Sequence, residues 1–244
     1  MASHGRVNAL WEHDEAALGG APWLIGVDEA GRGALAGPVV AAAALVRREL
    51  FAAPDGAARC GRVNDSKQLT AEAREGHFAL IEGLRDDGFV DRAAASASVG
   101  EIEERNIVGA TELAMTRALR ELEGRLGGRR LRRSAEAGPL FEGDASAPRV
   151  LVDGRALPRL PFVHEGLVDG DARSLAIAMA SVVAKVTRDR ALVELGERYP
   201  DYGFARHKGY GTAAHRECLR RRGASAVHRP RFLRKLGPLP EPGR

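Results

Sequence analysis

Two apolar runs on either side of a glycine-rich turn constrain this chain most. The first, Trp23 to Val27, stops on a pair of acids, Asp28-Glu29. The second runs from Pro38 to Val46, and Gly31-Arg32-Gly33-Ala34-Leu35-Ala36-Gly37 lies between them. Runs this short and apolar read as buried strands, with proline tolerated at the first residue of the second. At about eight residues, the longer one is far below the ~20 needed to span a bilayer. Further strands are predicted over 89–97, 150–152 and 162–168. One helix is predicted from Thr70, a capping residue, to about Arg85. Another covers 107–126, where Met115, Leu119, Leu122 and Leu126 recur at helical spacing. Helices over 174–198 (closed by Pro200), 212–222 and 231–236 complete the pattern. Strands first and helices interleaved after them predict an α/β fold with a mixed β-sheet. The main unit spans 22–200, with a helical C-terminal region, 201–236, of the same domain. Residues 1–21 and 237–244 are expected as flexible tails.

Hydrophobic residues make up 44% of the 244 and charged residues 29%, which excludes a disordered chain. Glu12, Asp14 and Glu15 interrupt the first twenty residues, so no secretory signal is expected. Cys60 and Cys218 read as free thiols of a cytoplasmic protein. The net charge is +4, but its distribution is uneven: residues 205–235 hold ten Lys/Arg against Glu217 alone. That segment is either a footprint for a polyanion or a solvated arginine-rich face, and charge alone does not separate the two. Residues 125–149 are rich in Gly, Arg, Ala and Pro and show no period. They are expected to be a mobile basic insertion, with a nucleic-acid-binding arm as the alternative.

Acids stand where elements stop: Asp28-Glu29 after the first strand, Asp153 after a later one, and Asp171 just before the long helix. Each taken alone is also a reasonable turn or cap residue. Gathered together they would repel one another, and divalent cations would remove that cost. Carboxylate oxygens suit hard ions such as Mg²⁺, and two ions ~3.5–4 Å apart would serve both the attacking and the leaving oxygen of a phosphodiester. Asp28 and Glu29 can share such a site only if the strand ends or bends between them, since adjacent residues face opposite sides. The glycine turn has the wrong spacing for a dinucleotide fingerprint and leads into a strand rather than a helix. Bare amides approaching a sugar–phosphate backbone, with Arg32 forked onto a phosphate, fit better.

The segments Gly26-Val27-Asp28-Glu29-Ala30-Gly31-Arg32-Gly33, Leu35-Ala36-Gly37-Pro38-Val39, Asp65-Ser66-Lys67-Gln68-Leu69, Val152-Asp153-Gly154 and Gly170-Asp171 occur in that order. Ala184-Lys185-Val186-Thr187-Arg188-Asp189, Tyr202-Gly203-Phe204, His207-Lys208-Gly209-Tyr210-Gly211-Thr212 and His215 follow. This series, covering about 24 to 235, resembles the signature of type 2 ribonuclease H, the ribonuclease HII family. The resemblance implies a ribonuclease-H-like mixed β-sheet flanked by helices, with a helical C-terminal region that helps hold the duplex. It implies a metal-dependent endonuclease, using Mg²⁺ or Mn²⁺, that cleaves the RNA strand of RNA–DNA hybrids. Incision 5′ to single ribonucleotides in duplex DNA would leave 3′-hydroxyl and 5′-phosphate ends. Its metal ligands and catalytic acids would be Asp28, Glu29, Asp153 and Asp171. Gly31, Arg32 and Gly33 would contact the ribonucleotide's sugar–phosphate, Tyr210 would pack on the next sugar, and Lys67 and Lys185 would join the substrate-binding residues. Partners implied are RNA–DNA hybrid and ribonucleotide-containing duplex DNA; no membrane is expected, no protein partner is evident in the sequence, and the chain is expected to be a monomer.

Two positions depart from the family pattern. Its usual Lys-Gly-Asp-Ser is here Asp169-Gly170-Asp171-Ala172, which introduces a second acid. Its usual His-Arg-x-Ser-Phe is His228-Arg229-Pro230-Arg231-Phe232, which lacks the serine hydroxyl. His207, His215 and His228 lack zinc spacing and read as hydrogen-bonding or phosphate-contacting residues. Tyr202, Phe204, Trp11 and Trp23 read as core. The competing readings are a type 3 or strand-transfer relative, a non-catalytic nucleic-acid-binding protein and, last, a nicotinamide-dependent enzyme. The first predicts poor action at a single ribonucleotide, the second binding without cleavage, and the third cofactor binding.

Overall fold

The first apolar run folds as strand β1 (Trp23–Ala30) and the second as β2 (Val39–Arg47), paired antiparallel with Asp28 opposite Ala42. They are the centre of a computed structural model that describes residues 9–61, 70–134 and 147–241. In chain order the elements are α1 (Ala9–Leu18), β1, β2, α2 (Arg48–Ala52), α3 (Gly56–Cys60), α4 (Ala71–Asp86), β3 (Val90–Ala97), α5 (Val99–Glu123), β4 (Arg149–Asp153) and β5 (Glu165–Leu167). Helices α6 (Leu175–Arg198), α7 (Phe204–His207), α8 (Ala213–Arg222) and α9 (Pro230–Leu233) follow. The sheet order is β3-β2-β1-β4-β5, with β4 parallel to both β1 and β5. This is the mixed sheet that the sequence predicts.

Strand alternation explains why β2 is apolar throughout. Ala42, Ala44 and Val46 enter a core with α1, α4 and α6, while Val39, Ala41, Ala43 and Leu45 enter a second core under α5. Both faces are covered, so no position on β2 can afford a charge. Among the described residues no helix is long and apolar enough to cross a membrane. Cys60 and Cys218 are buried free thiols.

Several boundaries differ from expectation for identifiable reasons. Residues 9–18 are not a flexible lead-in: Leu10, Trp11 and Leu18 of α1 are buried. Its Asp14, fully buried, accepts from the Ala176 amide at 2.8 Å and from the Ser174 hydroxyl at 3.1 Å, so it caps the start of α6. Replacing Asp14 with Ala strands both donors and should cost about 2 kcal/mol, measured as a lower urea midpoint. Helix α5 starts eight residues before the predicted 107, on a Ser98–Glu101 capping box. Asn106 breaks it with φ 57°, its side chain receiving the Val108 and Gly109 amides, so the predicted start marks a second capped segment.

The described flanks of the 125–149 segment are packed rather than free. Leu126 and Leu131 are buried, Arg133 pairs with Glu123 at 2.6 Å and lies over Phe162, and Arg129 lies over Trp23. These contacts gather at the start of β1, the end of the sheet opposite Asp28. Residues 135–146 of that segment lie outside the described residues. The predicted strand over 162–168 is reduced to Glu165–Leu167.

The C-terminal region clasps the glycine loop. The Leu35 amide donates to Gly209, the Gly37 amide to Val227 and the Arg229 amide to Leu35, each at 2.8 Å. Behind this clasp, His207 stacks on His215 at 4.1 Å, and the His215 and His228 Nε2 atoms stand 3.1 Å apart beside buried Phe204. Burial drives the pKa of His215 and His228 down to about 4 from 6.5. The unfolded chain therefore binds more protons between those values, and stability falls as pH drops from about 6.5 toward 4. Urea midpoints at pH 7, 5.5 and 4.5 should fall in that order, with a loss of roughly 5 kcal/mol across the window, at ~1.4 kcal/mol per pH unit for each of the two groups.

Candidate active site

β1 stays extended through Ala30, so the carboxylates of Asp28 and Glu29 leave it on opposite faces. Asp28 turns toward α6. It is 3% exposed, accepts the Glu29 amide at 2.7 Å and takes a hydrogen bond from Ser181. Glu29 turns toward α5 and accepts from the Arg32 guanidinium at 3.1 Å. No strand end separates the pair, contrary to the condition set by the sequence; Glu29 instead forms a ridge between two clefts. One, of about 280 Å³, is lined by Asp28, Glu29, Arg74, Ser181, Lys185 and Tyr210. The other, of about 250 Å³, lies against Glu29, Arg32, Thr111, Met115, Asp153 and Arg155.

Asp153 ends β4. Val27 is level with Val152 in the parallel pairing, so Asp28 and Asp153 are neighbours on adjacent strands, roughly 4.8 Å apart across the sheet. Burial first, then the charges of Glu29 and Asp153, hold the Asp28 carboxyl well above its ordinary 3.8; the Ser181 and Glu29 hydrogen bonds oppose this. Asp153 accepts the Gly170 amide at 2.8 Å. A side chain on Gly170 would stand 2.6 Å from Ile177 and 3.2 Å from the Asp153 carboxylate, so glycine lets this turn close over the acid. Asp171 follows on the same 3₁₀ turn, Gly170–Ala172, and is 3% exposed. The extra acid, Asp169, is exposed with φ 54°. Asp171 is therefore the acid that the fold turns inward.

Of the glycine turn, Gly31 (φ 93°) has no room for a side chain, because a Cβ would lie 1.9 Å from Arg188 Nε. Gly33 is exposed with open space around it, and the Arg32 side chain is 53% exposed. Tyr210 closes the Asp28 cleft, with the Lys185 ammonium 5.4 Å and the Arg188 guanidinium 5.0 Å from its ring centre. Lys185 lines the cleft and pairs with Asp189 at 2.6 Å. Its pKa is lowered by burial, against the pull of Asp189. Lys67 lies outside the described residues. Ser181 and Arg74 were not anticipated. Ser181, Lys185 and Arg188 recur at i, i+4 and i+7 on α6, a polar stripe along a mostly apolar helix that the sequence displays.

Among the described residues no three His, Cys, Asp or Glu side chains are drawn close enough to hold a metal ion as they stand. The donor chemistry nevertheless suits one. All four acids offer hard oxygens, and the crowding that pushes Asp28 up is what a cation would relieve.

A sheet ordered 3-2-1-4-5, flanked by helices and bearing acids at the ends of neighbouring parallel strands, defines the ribonuclease-H-like class. The family model described as Ribonuclease HII matches residues 25–127 and 149–235. The chain belongs to the ribonuclease HII family. It is 42% identical over 209 residues to the ribonuclease HII of Geobacillus kaustophilus, covering 86% of this chain and 67% of that one. It is also 42% identical over 214 residues to that of Fusobacterium nucleatum, covering 87% and 86%. In fold it resembles the ribonuclease HII of Archaeoglobus fulgidus, solved in a complex with PCNA (TM-score 0.62, 20% identity, covering 89% and 98%). It also resembles Bst-RNase HIII, solved with Mn²⁺ (TM-score 0.57, 19% identity, covering 97% and 76%). Family membership supports a ribonuclease H endonuclease, a metal-dependent class of phosphodiester hydrolase.

Proposed function

We propose that this chain cleaves the RNA strand of RNA–DNA hybrids and incises duplex DNA 5′ to a single embedded ribonucleotide, leaving 3′-hydroxyl and 5′-phosphate ends. The observation that carries this is the electrostatic coupling of Asp28 to Glu29 and Asp153 at one end of the sheet, beside a cleft with an open glycine turn and a tyrosine ring. Asp28, Glu29, Asp153 and Asp171 hold the divalent cations, Mg²⁺ or Mn²⁺. When bound, two such ions supply the charge that activates water and stabilises the leaving oxygen. Glu29 has to turn off Arg32 to join the set, and Arg32 is then available to a phosphate. The amides of Gly31, Arg32 and Gly33 hold the ribonucleotide's sugar–phosphate, where the 2′-hydroxyl is the group that tells RNA from DNA. Tyr210 packs on the following sugar, where a flat ring favours a carbon without a hydroxyl. Lys185 and Lys67 attract the backbone. The chain acts as a monomer in the cytoplasm.

The test is a DNA duplex carrying one ribonucleotide, incubated with protein and Mg²⁺ or Mn²⁺. A single nick with a 3′-hydroxyl upstream of the ribonucleotide is expected. No nick, or an equal rate in chelator, would falsify the reading. Cleavage of long hybrids with neglect of the single ribonucleotide would favour a type 3 specificity.

A further inference from the structure

Among the described residues two arginines are completely buried, Arg188 on α6 and Arg229 at the start of α9. Burying a guanidinium without a carboxylate is costly unless its donors are otherwise satisfied. Among the described residues neither makes an ion pair, and both spend their donors on backbone carbonyls. Arg229 donates to Gly37 (2.9 Å), Gly31 (2.8 Å), Arg32 (3.0 Å) and Pro38 (3.0 Å). Arg188 donates to Pro38 (3.2 Å), Lys208 (3.0 Å) and Ala36 (3.3 Å). Arg229 also lies over Phe232, and Arg188 over Tyr210.

The consequence is directional. With the carbonyls of Gly31, Arg32, Ala36, Gly37 and Pro38 drawn inward, the turn presents the other side of its peptide units outward. Gly33 is exposed, and among the described residues the Arg32 and Gly33 amides have no partner in the chain. Arg188 also fills the space beneath Gly31 that a Cβ would need. This pair, drawn from two distant parts of the chain, thus braces both the turn and the tyrosine ring.

We propose that Arg188 and Arg229 are positioning residues that lock the 31–38 loop and Tyr210 into a preformed ribonucleotide-recognition surface, so that they set specificity without touching substrate. This rests on the reading of the turn as the ribonucleotide contact. Burial and the neighbouring Arg188 charge lower the Arg229 pKa to about 9, which leaves it charged at neutral pH. The planar fork matters as much as the charge, because a lysine ammonium cannot span several carbonyls spaced around a loop.

The experiment measures binding by fluorescence anisotropy in an Asp28→Asn parent, using one duplex with a single ribonucleotide and its all-DNA counterpart. Arg229→Lys and Arg188→Lys are each added to that parent. The expected result is at least a tenfold loss in the ratio of the two affinities, with all-DNA affinity within twofold of the parent. An unchanged ratio in a folded variant overturns the proposal. So does an equal weakening on both duplexes, which is what a merely structural role predicts. If the arginine variants do not fold, Phe232→Leu decides: it loosens Arg229 from outside and should move the ratio in the same direction, while an unchanged ratio counts against. A parent that shows no preference for the ribonucleotide removes the underlying reading of the turn instead.

Discussion

Asparagine at position 28 is expected to abolish incision and, in metal-free protein, to raise the melting temperature. The two effects share one cause. Asp28 is buried and crowded by Glu29 and Asp153, so its folded pKa stands well above 3.8. The folded state then binds the extra proton, and stability declines as pH rises from about 4 through the raised value; above that value the full cost of burying the charge is present. Asparagine keeps the shape, removes the charge and can still meet Ser181 and the Glu29 amide. The same missing charge weakens the hold on the cations. Incision should fall by at least about a thousandfold, roughly 4 kcal/mol in activation free energy. Incision kinetics together with thermal melts in chelator at pH 7.5 check both halves. Near wild-type turnover would take Asp28 out of the chemistry, and a lower melting temperature would show that its charge is not a burden in this fold.

The acids were legible because they stand where apolar runs stop, and the resemblance ordered them. Their geometry was not. Whether Asp28 and Glu29 share a face depends on where β1 ends, and it ends at Ala30, after both. Asp171 could be preferred over Asp169 by spacing, but only the turn shows which one is buried. β1 and β2 came through well, because burial on two faces leaves a continuous apolar run; the strand expected over 162–168, which lacks one, shrank to three residues. Helix α1 was missed because its buried side includes Asp14, whose role is to cap an element 160 residues away. Arg188 and Arg229 read as two among many arginines. Their role comes from long-range contacts with carbonyls that no local pattern encodes.

Gly26 illustrates how one unremarked residue can set the spacing of the whole site. It faces α6 from β1, two residues before Asp28, and a Cβ there would lie 2.1 Å from the Ala176 carbonyl carbon and 2.2 Å from the Ile177 amide nitrogen. Those atoms are backbone in the first turn of a long buried helix, pinned by Asp14 and Ser174, so they cannot swing aside as a side chain would. Gly26→Ala therefore has to push α6 off the sheet and carry the Asp171 turn away from Asp28 and Asp153. A stability loss of about 3 kcal/mol or more is expected, with incision lost even at temperatures where the variant stays folded. Gly83→Ala is the matched control: it sits in α4 with open space at its Cβ position, where alanine should add about 0.5–1 kcal/mol. Urea unfolding of both variants, with incision measured well below each midpoint, separates the cases. A Gly26→Ala protein as stable and as active as wild type would mean that the contact of β1 with α6 does not hold the acids in place.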